Sequence, residues 1–267
     1  MNTNKLKKFA QEARRKLMEQ VGARLEMVFR TDSAEIREKA GPIKKLQEAI
    51  NDMGKAQVID KVAYTWFNRL MALRFMDAND YQPIGLRVIT PKEGYTQPEL
   101  LDEAKQGHIP DELPVKKQHI YDLLDGKIRS ANPQNEAYKE LLIGACNHLN
   151  KVFPFLFERI DDYTELLLPD DLISEFSIVQ DVRNGMTTDD CQEVEIIGWL
   201  YQFYISEKKD EVFASKSKVK KEDIPAATQL FTPRWIVEYM VQNTVGKLWL
   251  QNRPHSRLRD HMPYLIE

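Results

Sequence analysis

The stretch KAQVIDKVAYTWFNRLMALRFMDAND, Lys55 to Asp80, sets the class of this fold. Ile59, Val62, Trp66, Leu70 and Leu73 recur at intervals of three and four, and Ala63, Phe67 and Met71 widen the stripe. That period belongs to a helix with one broad apolar face. Gly54 stands immediately ahead of it. The stretch reads as the core helix of the N-terminal half.

Working outward, the same period fills most of the chain. Asn4–Arg30 reads as a long amphipathic helix on Leu6, Ala10, Ala13, Leu17, Val21, Leu25 and Val28. Ser33–Asn51 reads as a second helix, interrupted or restarted at Gly41-Pro42 because proline cannot donate the ladder bond. Further helices are expected over His119–Ile128, Asn135–Phe153 and Leu172–Val182, the last capped by Asp170 or Asp171. After a turn at Asn184-Gly185, another is expected from about Asp190, with Val194, Ile197, Leu200, Tyr201 and Tyr204 on its face. Tyr81 to Val115 is rich in Pro and Gly and reads as loop with one or two helical turns. Within it GLRVIT has strand composition but no evident partner. The expected fold is mainly α. The expected divisions are a helical bundle over 1–80, an irregular connector over 81–115, a second helical part over 116–213, a basic linker over 214–226 and a final segment over 227–267.

Composition bounds the function. The chain of 267 residues has 30% charged side chains and a net charge of −3. No apolar run approaches the ~20 residues that span a bilayer. Cys146 and Cys191 are far apart and fit a reducing cytoplasm. Charge is unevenly distributed. Residues 1–30 carry eight basic and three acidic side chains, 150–213 carry five and fifteen, and 214–267 carry nine and five. Basic ends around an acidic middle would suit a polyanion, with Lys5, Lys8, Arg14, Arg15, Lys218, Lys220 and Lys221 as the candidate phosphate contacts. Solvated helix faces explain the same runs equally well.

Other candidate chemistry is thin. Asp161/Asp162, Asp170/Asp171 and Asp189/Asp190 read as caps and turns, since no lysine follows Glu175 at nuclease spacing. Cys146 and His148 lack further ligands at zinc-finger spacing, so no metal is expected. Trp66, Trp199, Trp235 and Trp249 read as core. No phosphate-cradling glycine loop is present.

The segment TQLFTPRWIVEYMVQNTVGKLWL, from Thr228, is more specific. Thr232 suits an N-cap and Pro233 the first helical position. Val237, Met240, Val241, Val245 and Leu248 form its apolar face. The free N–H groups of such a helix tip suit a carboxylate or phosphate. LFTPRWIVEYMV resembles motif X of the gamma-type N6-adenine DNA methyltransferases. EIIGWLYQFYISEKKDEVFA, MNTNKLKKFAQEARRKLMEQV and YTWFNRLMALRFMDANDY are similar to segments of the large adenine-specific methyltransferases of BREX phage-defence systems. The resemblance runs over most of the chain.

That resemblance implies a helical N-terminal domain leading into the first helix of a Rossmann-like methyltransferase domain that is largely absent from this chain. It implies that Phe231, Thr232 and Pro233 contact the methionine end of S-adenosylmethionine. It implies double-stranded DNA and other BREX proteins as partners, a phage-made acidic DNA mimic as a possible inhibitor, no membrane, and a cytoplasmic location. The family's glycine loop and Asn/Asp-Pro-Pro-aromatic motif are not found. NPQN at Asn132–Asn135 and IGACNH at Ile143–His148 read as a helix cap and a packed helix. No catalytic residue is therefore assigned, and the chain alone is expected to be inactive. A second reading makes it an all-helical scaffold for protein or DNA contact, without chemistry of its own.

Overall fold

The first helix, α1 (Thr3–Arg30), runs 28 residues, a length of roughly 42 Å at 1.5 Å per residue. Its buried side chains are those the period selects, with Phe9 added. In a computed structural model that describes residues 2–30, 40–157 and 163–266, the chain divides into two compact units, Met1–Tyr204 and Ile205–Glu267. The described residues are helical or in turns and loops, with no strand among them.

Helix α2 (Ala40–Met53) holds Gly41-Pro42 at the edge of the described residues. The expected beginning of this helix at Ser33 lies outside the described residues. Gly54 follows at φ 85° and ψ 151°, a conformation that a side chain would resist. It turns the chain into α3 (Lys55–Ala78), which buries Val62, Trp66, Phe67, Leu70 and Leu73. Trp66 lies wholly in the core, and its indole N–H donates to the Thr164 carbonyl at 3.0 Å. That bond satisfies the one polar atom of a large buried ring.

Helices α1 and α3 pack together, and α8 (Ile178–Gly185) and α9 (Ile196–Tyr204) pack on both. Tyr204 of α9 stacks at a tilt on Phe67 with ring centres 4.5 Å apart. Gly185 is required for this packing: a Cβ there would come within 2.3 Å of the Phe9 ring.

The Pro/Gly-rich connector contains α4 (Glu99–Lys105) and no strand. The strand composition of GLRVIT misleads because its backbone donors go to a side chain. Both oxygens of buried Asp77, near the end of α3, accept from this segment. Oδ1 takes the Val88 amide at 2.9 Å and the Gln82 side chain at 2.7 Å. Oδ2 takes the amides of Ile89 and Thr90, each at 2.8 Å. Burial pushes the Asp77 carboxyl above its ordinary range, and these donors pull it back. On the other side, Tyr138 donates its hydroxyl to the Val88 carbonyl at 3.1 Å. Val88 and Ile89 are fully buried as a result.

The remaining helices of this unit are α5 (Lys117–Leu124), α6 (Pro133–Leu149) and α7 (Tyr163–Leu166). Asn132 caps α6 by accepting the Asn135 amide, with Pro133 just inside. NPQN is therefore a helix cap. Gly144, within IGACNH, sits against Val115 with no space for a Cβ, which makes that stretch a packed helix. Helices α5 and α6 each start two residues before and end four residues before the expected His119–Ile128 and Asn135–Phe153, and two later boundaries differ more. The helix expected at Leu172–Val182 begins at Ile178, and its cap is Ser177, whose hydroxyl accepts the Gln180 amide. Asp171 instead accepts from Ile173 and Ser174, closing a local turn that holds the chain out of helix. The helix expected from Asp190 is a single tight turn, Asp190–Gln192, followed by α9, and Val194 is exposed. Asn184-Gly185 is the end of α8, not a separate turn.

In the second unit α10 (Ser206–Ala214) precedes α11 (Ile224–Thr228). The basic stretch between them leads into a short helical turn, Lys221–Asp223. Lys208 pairs with Asp223 at 3.5 Å, which ties α10 to that turn. Helix α12 (Arg234–Val241) then runs through a wide turn, Gln242–Gly246, into α13 (Lys247–Asn252).

Candidate functional site

Pro233 occupies the cap position of α12, with ψ 145° and no side-chain cap bond. Its carbonyl accepts the amides of Ile236 and Val237. The expected assignment of Thr232 as N-cap and Pro233 as first helical residue therefore shifts by one. Proline can serve here because the cap position contributes a carbonyl, not an N–H. Thr232 is exposed beside the tip, and Phe231 and Pro233 are half-buried. The amides of Arg234 and Trp235 precede the first ladder donor, so this end offers N–H groups and the positive end of the helix dipole. Arg234, which sequence reading did not select, stands at the same tip and donates to Glu238 at 2.7 Å.

The apolar face expected on this helix exists but is left uncovered among the described residues. Val237, Met240, Val241, Val245 and Leu248 are all exposed, Val245 at 69%. Trp235, at 56%, and Trp249, at 41%, are likewise surface rings, against the expectation of core positions. Their spacing alone did not distinguish a covered face from an open one.

The wide turn has a visible purpose. Its extra residue brings Gln242 and Asn243 to face the segment Tyr264–Ile266. Gln242 accepts the Tyr264 amide at 2.7 Å. Asn243 accepts the Ile266 amide at 2.8 Å and donates to the Tyr264 carbonyl at 2.7 Å. Gly246 lets Met262 approach, since a Cβ there would lie 2.7 Å from the Met262 methyl. Two amide side chains thus do for this segment what a neighbouring strand would do.

The candidate phosphate contacts separate into two kinds. Arg14 is committed inside the first unit: its guanidinium donates to Asp60 at 3.0 Å, lies over the Tyr204 ring and is only 12% exposed. Lys5, Lys8 and Arg15 project from α1, and Lys218, Lys220 and Lys221 are exposed in the basic stretch. Lys5 and Lys8 edge an open cavity of about 310 Å³ floored by Phe9, Ala13 and Gly185. Lys16 on its rim is paired with Asp181, and Lys8 stands 3.9 Å from Glu12, so little net charge remains there.

The acidic pairs have structural partners. Asp170 accepts Arg24 at 2.9 Å and Asp190 accepts the Thr187 hydroxyl at 2.7 Å. Asp161 and Asp162 lie outside the described residues. Among the described residues no three His, Cys, Asp or Glu side chains are grouped to hold a metal. Burial pushes the Cys146 thiol up to about 12 and the Cys191 thiol up to about 11, which keeps both protonated and unreactive. No described helix is long and apolar enough to cross a membrane.

Set beside known proteins, the chain is similar to adenine-specific methyltransferases. It is 46% identical to the adenine-specific methyltransferase BrxX of Escherichia coli O9:H4 (strain HS) over 227 residues, 84% of the chain and 18% of that protein. It is 39% identical to the adenine-specific methyltransferase PglX of Lacticaseibacillus casei (strain Zhang) over 201 residues, 73% of the chain and 16% of that protein. No family model matches. The similarity to both proteins runs over most of this chain, which spans less than a fifth of the length of these relatives.

Proposed function

We propose that this chain is the N-terminal part of an S-adenosylmethionine-dependent N6-adenine DNA methyltransferase serving BREX phage defence. The observation that carries this is the extent of identity to two adenine-specific methyltransferases over most of the chain. The tip of α12 supplies the cofactor contact. Thr232 and the amides of Arg234 and Trp235 face the carboxylate of the methionine moiety, and Phe231 covers its apolar part. When bound, S-adenosylmethionine supplies an activated methyl group. The residues of this chain orient its tail and do not touch the adenine, which must leave the base stack to react.

The first unit acts as a brace. Arg14, Lys16 and Arg24 join α1 to Asp60, Asp181 and Asp170, so these cations hold helices together and are not free for DNA. This favours the scaffold reading for that unit within the methyltransferase reading of the whole. Lys5, Lys8, Arg15, Lys218, Lys220 and Lys221 remain as electrostatic contacts to DNA. The chain alone does not methylate, because no group in it is assigned to the reacting amine. The location is cytoplasmic, and other BREX proteins and a phage DNA mimic are its partners.

The test compares the full-length gene product with its Phe231→Ala and Thr232→Val variants. Calorimetry with S-adenosylmethionine should show weaker binding in both, and the methyl-transfer assay a raised KM for the cofactor with a smaller change in kcat. Unchanged cofactor affinity in both variants would remove α12 from the cofactor site. Measurable single-turnover methyl transfer by the 267-residue chain would overturn its assignment as non-catalytic.

A further inference from the structure

We propose that the turn following α13 is a clamp for the phosphodiester backbone of duplex DNA. Arg253 and Arg257 are its contacts, and Trp249 is the plate that aims Arg253. The proposal rests on the DNA reading above and adds a site to it.

The first ground is the freedom of these two guanidinium groups. Several other arginines are committed: Arg14 to Asp60, Arg24 to Asp170, Arg87 to Asp80 and Arg234 to Glu238. Arg253 and Arg257 are exposed and have no carboxylate within ion-pair distance among the described residues. From Lys247 to Ile266 the sequence holds four Lys or Arg and a single acid, Asp260. Such a stretch repels itself unless an anion is supplied.

The second ground is preorganisation. The Arg253 guanidinium lies 4.1 Å from the centre of the Trp249 ring. The indole N–H donates to the Ser256 hydroxyl at 3.2 Å, which fixes the ring. Ser256 also donates its amide to the Arg253 carbonyl at 3.0 Å and accepts the Leu258 amide at 3.3 Å. One serine therefore locks the plate, the turn and the start of the short helix Arg257–His261. A guanidinium stacked by its face keeps its N–H edges outward, the geometry that grips phosphate through two parallel bonds. Holding it in place beforehand removes part of the entropy cost of binding.

An open surface favours a polyanion over a small anion. Arg253 and Arg257 are both exposed, so affinity has to come from several contacts to one chain of charges. The exposed Val245 and Leu248 on the neighbouring turns raise the rival possibility of an anionic membrane surface, which the test separates.

The experiment titrates a labelled short duplex with the 267-residue chain, by fluorescence anisotropy, across salt from about 50 to 200 mM. The R253A/R257A variant should lower the slope of log affinity on log salt by about 1.8, which amounts to roughly 60-fold weaker binding near 0.1 M salt. R253K/R257K keeps the charges, so it should retain the slope and exclude misfolding as the cause. W249A should weaken binding about two- to fivefold without changing the slope, since only the stacking is removed. An unchanged slope and affinity in R253A/R257A, with loss instead in K218A/K220A/K221A, overturns the clamp and leaves the DNA reading intact. No duplex binding by the unaltered chain at low salt overturns both. Binding to phosphatidylserine vesicles in preference to duplex overturns the clamp in favour of a membrane contact.

Discussion

Replacing Asp77 by alanine should be among the most damaging single changes in the first unit. The side chain is 1% exposed and accepts four described hydrogen bonds of 2.7 to 2.9 Å. Removing it leaves the amides of Val88 and Ile89 buried without an acceptor, at roughly 1–3 kcal/mol each. Thr90 is half-buried and can turn to water, so its loss counts for less. The expected cost is therefore about 4 kcal/mol, a large share of the ~5–15 kcal/mol that holds a domain together. Asp77→Asn keeps one acceptor oxygen but sets an NH₂ group against two donors, and should cost about half as much.

Urea denaturation followed by tryptophan fluorescence measures this, because Trp66 lies in the same core. The alanine variant should show a midpoint lowered in proportion to the lost free energy divided by the m-value. Hydrogen exchange adds a local readout. The amides of Val88, Ile89 and Thr90 should be among the slow-exchanging sites of the unaltered chain and should lose that protection first in the variant. A cost below about 1 kcal/mol with these three amides still protected would refute the idea that one carboxylate replaces a partner strand.

Gly185→Ala places a methyl group inside the Phe9 ring contact and should cost about 1–3 kcal/mol by overpacking, with most of it recovered in a Phe9→Leu background, as thermal melts would show. Leu17→Ala, at a fully buried position of α1, should cost about 2–5 kcal/mol in the same melts. The Glu103 carboxyl is held below its usual range by Lys92 and, secondarily, His108. Its contribution is present above the unfolded value of about 4.3 and lost as pH falls through the lowered folded value, so Glu103→Gln should flatten the acid limb of a stability–pH curve.

The helical class was legible because helix periodicity is a property of burial, and α1 and α3 are buried along the faces that their leucines and valines mark. What periodicity cannot reveal is where a backbone donor goes. Val88-Ile89-Thr90 has β-branched residues throughout and looks like a strand in every local respect. Its amides are claimed by Asp77, eleven to thirteen positions earlier, and nothing in the composition of the stretch announces that. The same limit explains the start of α8. Asp171 and Ser177 are both good caps by residue type, and only the turn that Asp171 closes with Ser174 leaves the helix to Ser177.

Charge shows the opposite failure. The sequence displays how many cations a segment has but not how many are spent. The N-terminal thirty residues have a larger basic excess than the last fifty-four, which makes α1 the obvious place for a polyanion. The structure reverses that ranking in kind. On α1, Arg14, Lys16 and Arg24 reach acids from distant parts of the chain, Asp60, Asp181 and Asp170, and work as cross-links between helices. Near the C-terminus the basic side chains outnumber the acids, and Arg253 lies over the Trp249 ring on a turn closed by Ser256 hydrogen bonds. An unpaired, preordered cation is worth more to a phosphate than a paired one, because no internal bond has to break first. On the proposed DNA reading, Arg253 and Arg257 can therefore take a phosphate without first breaking an ion pair.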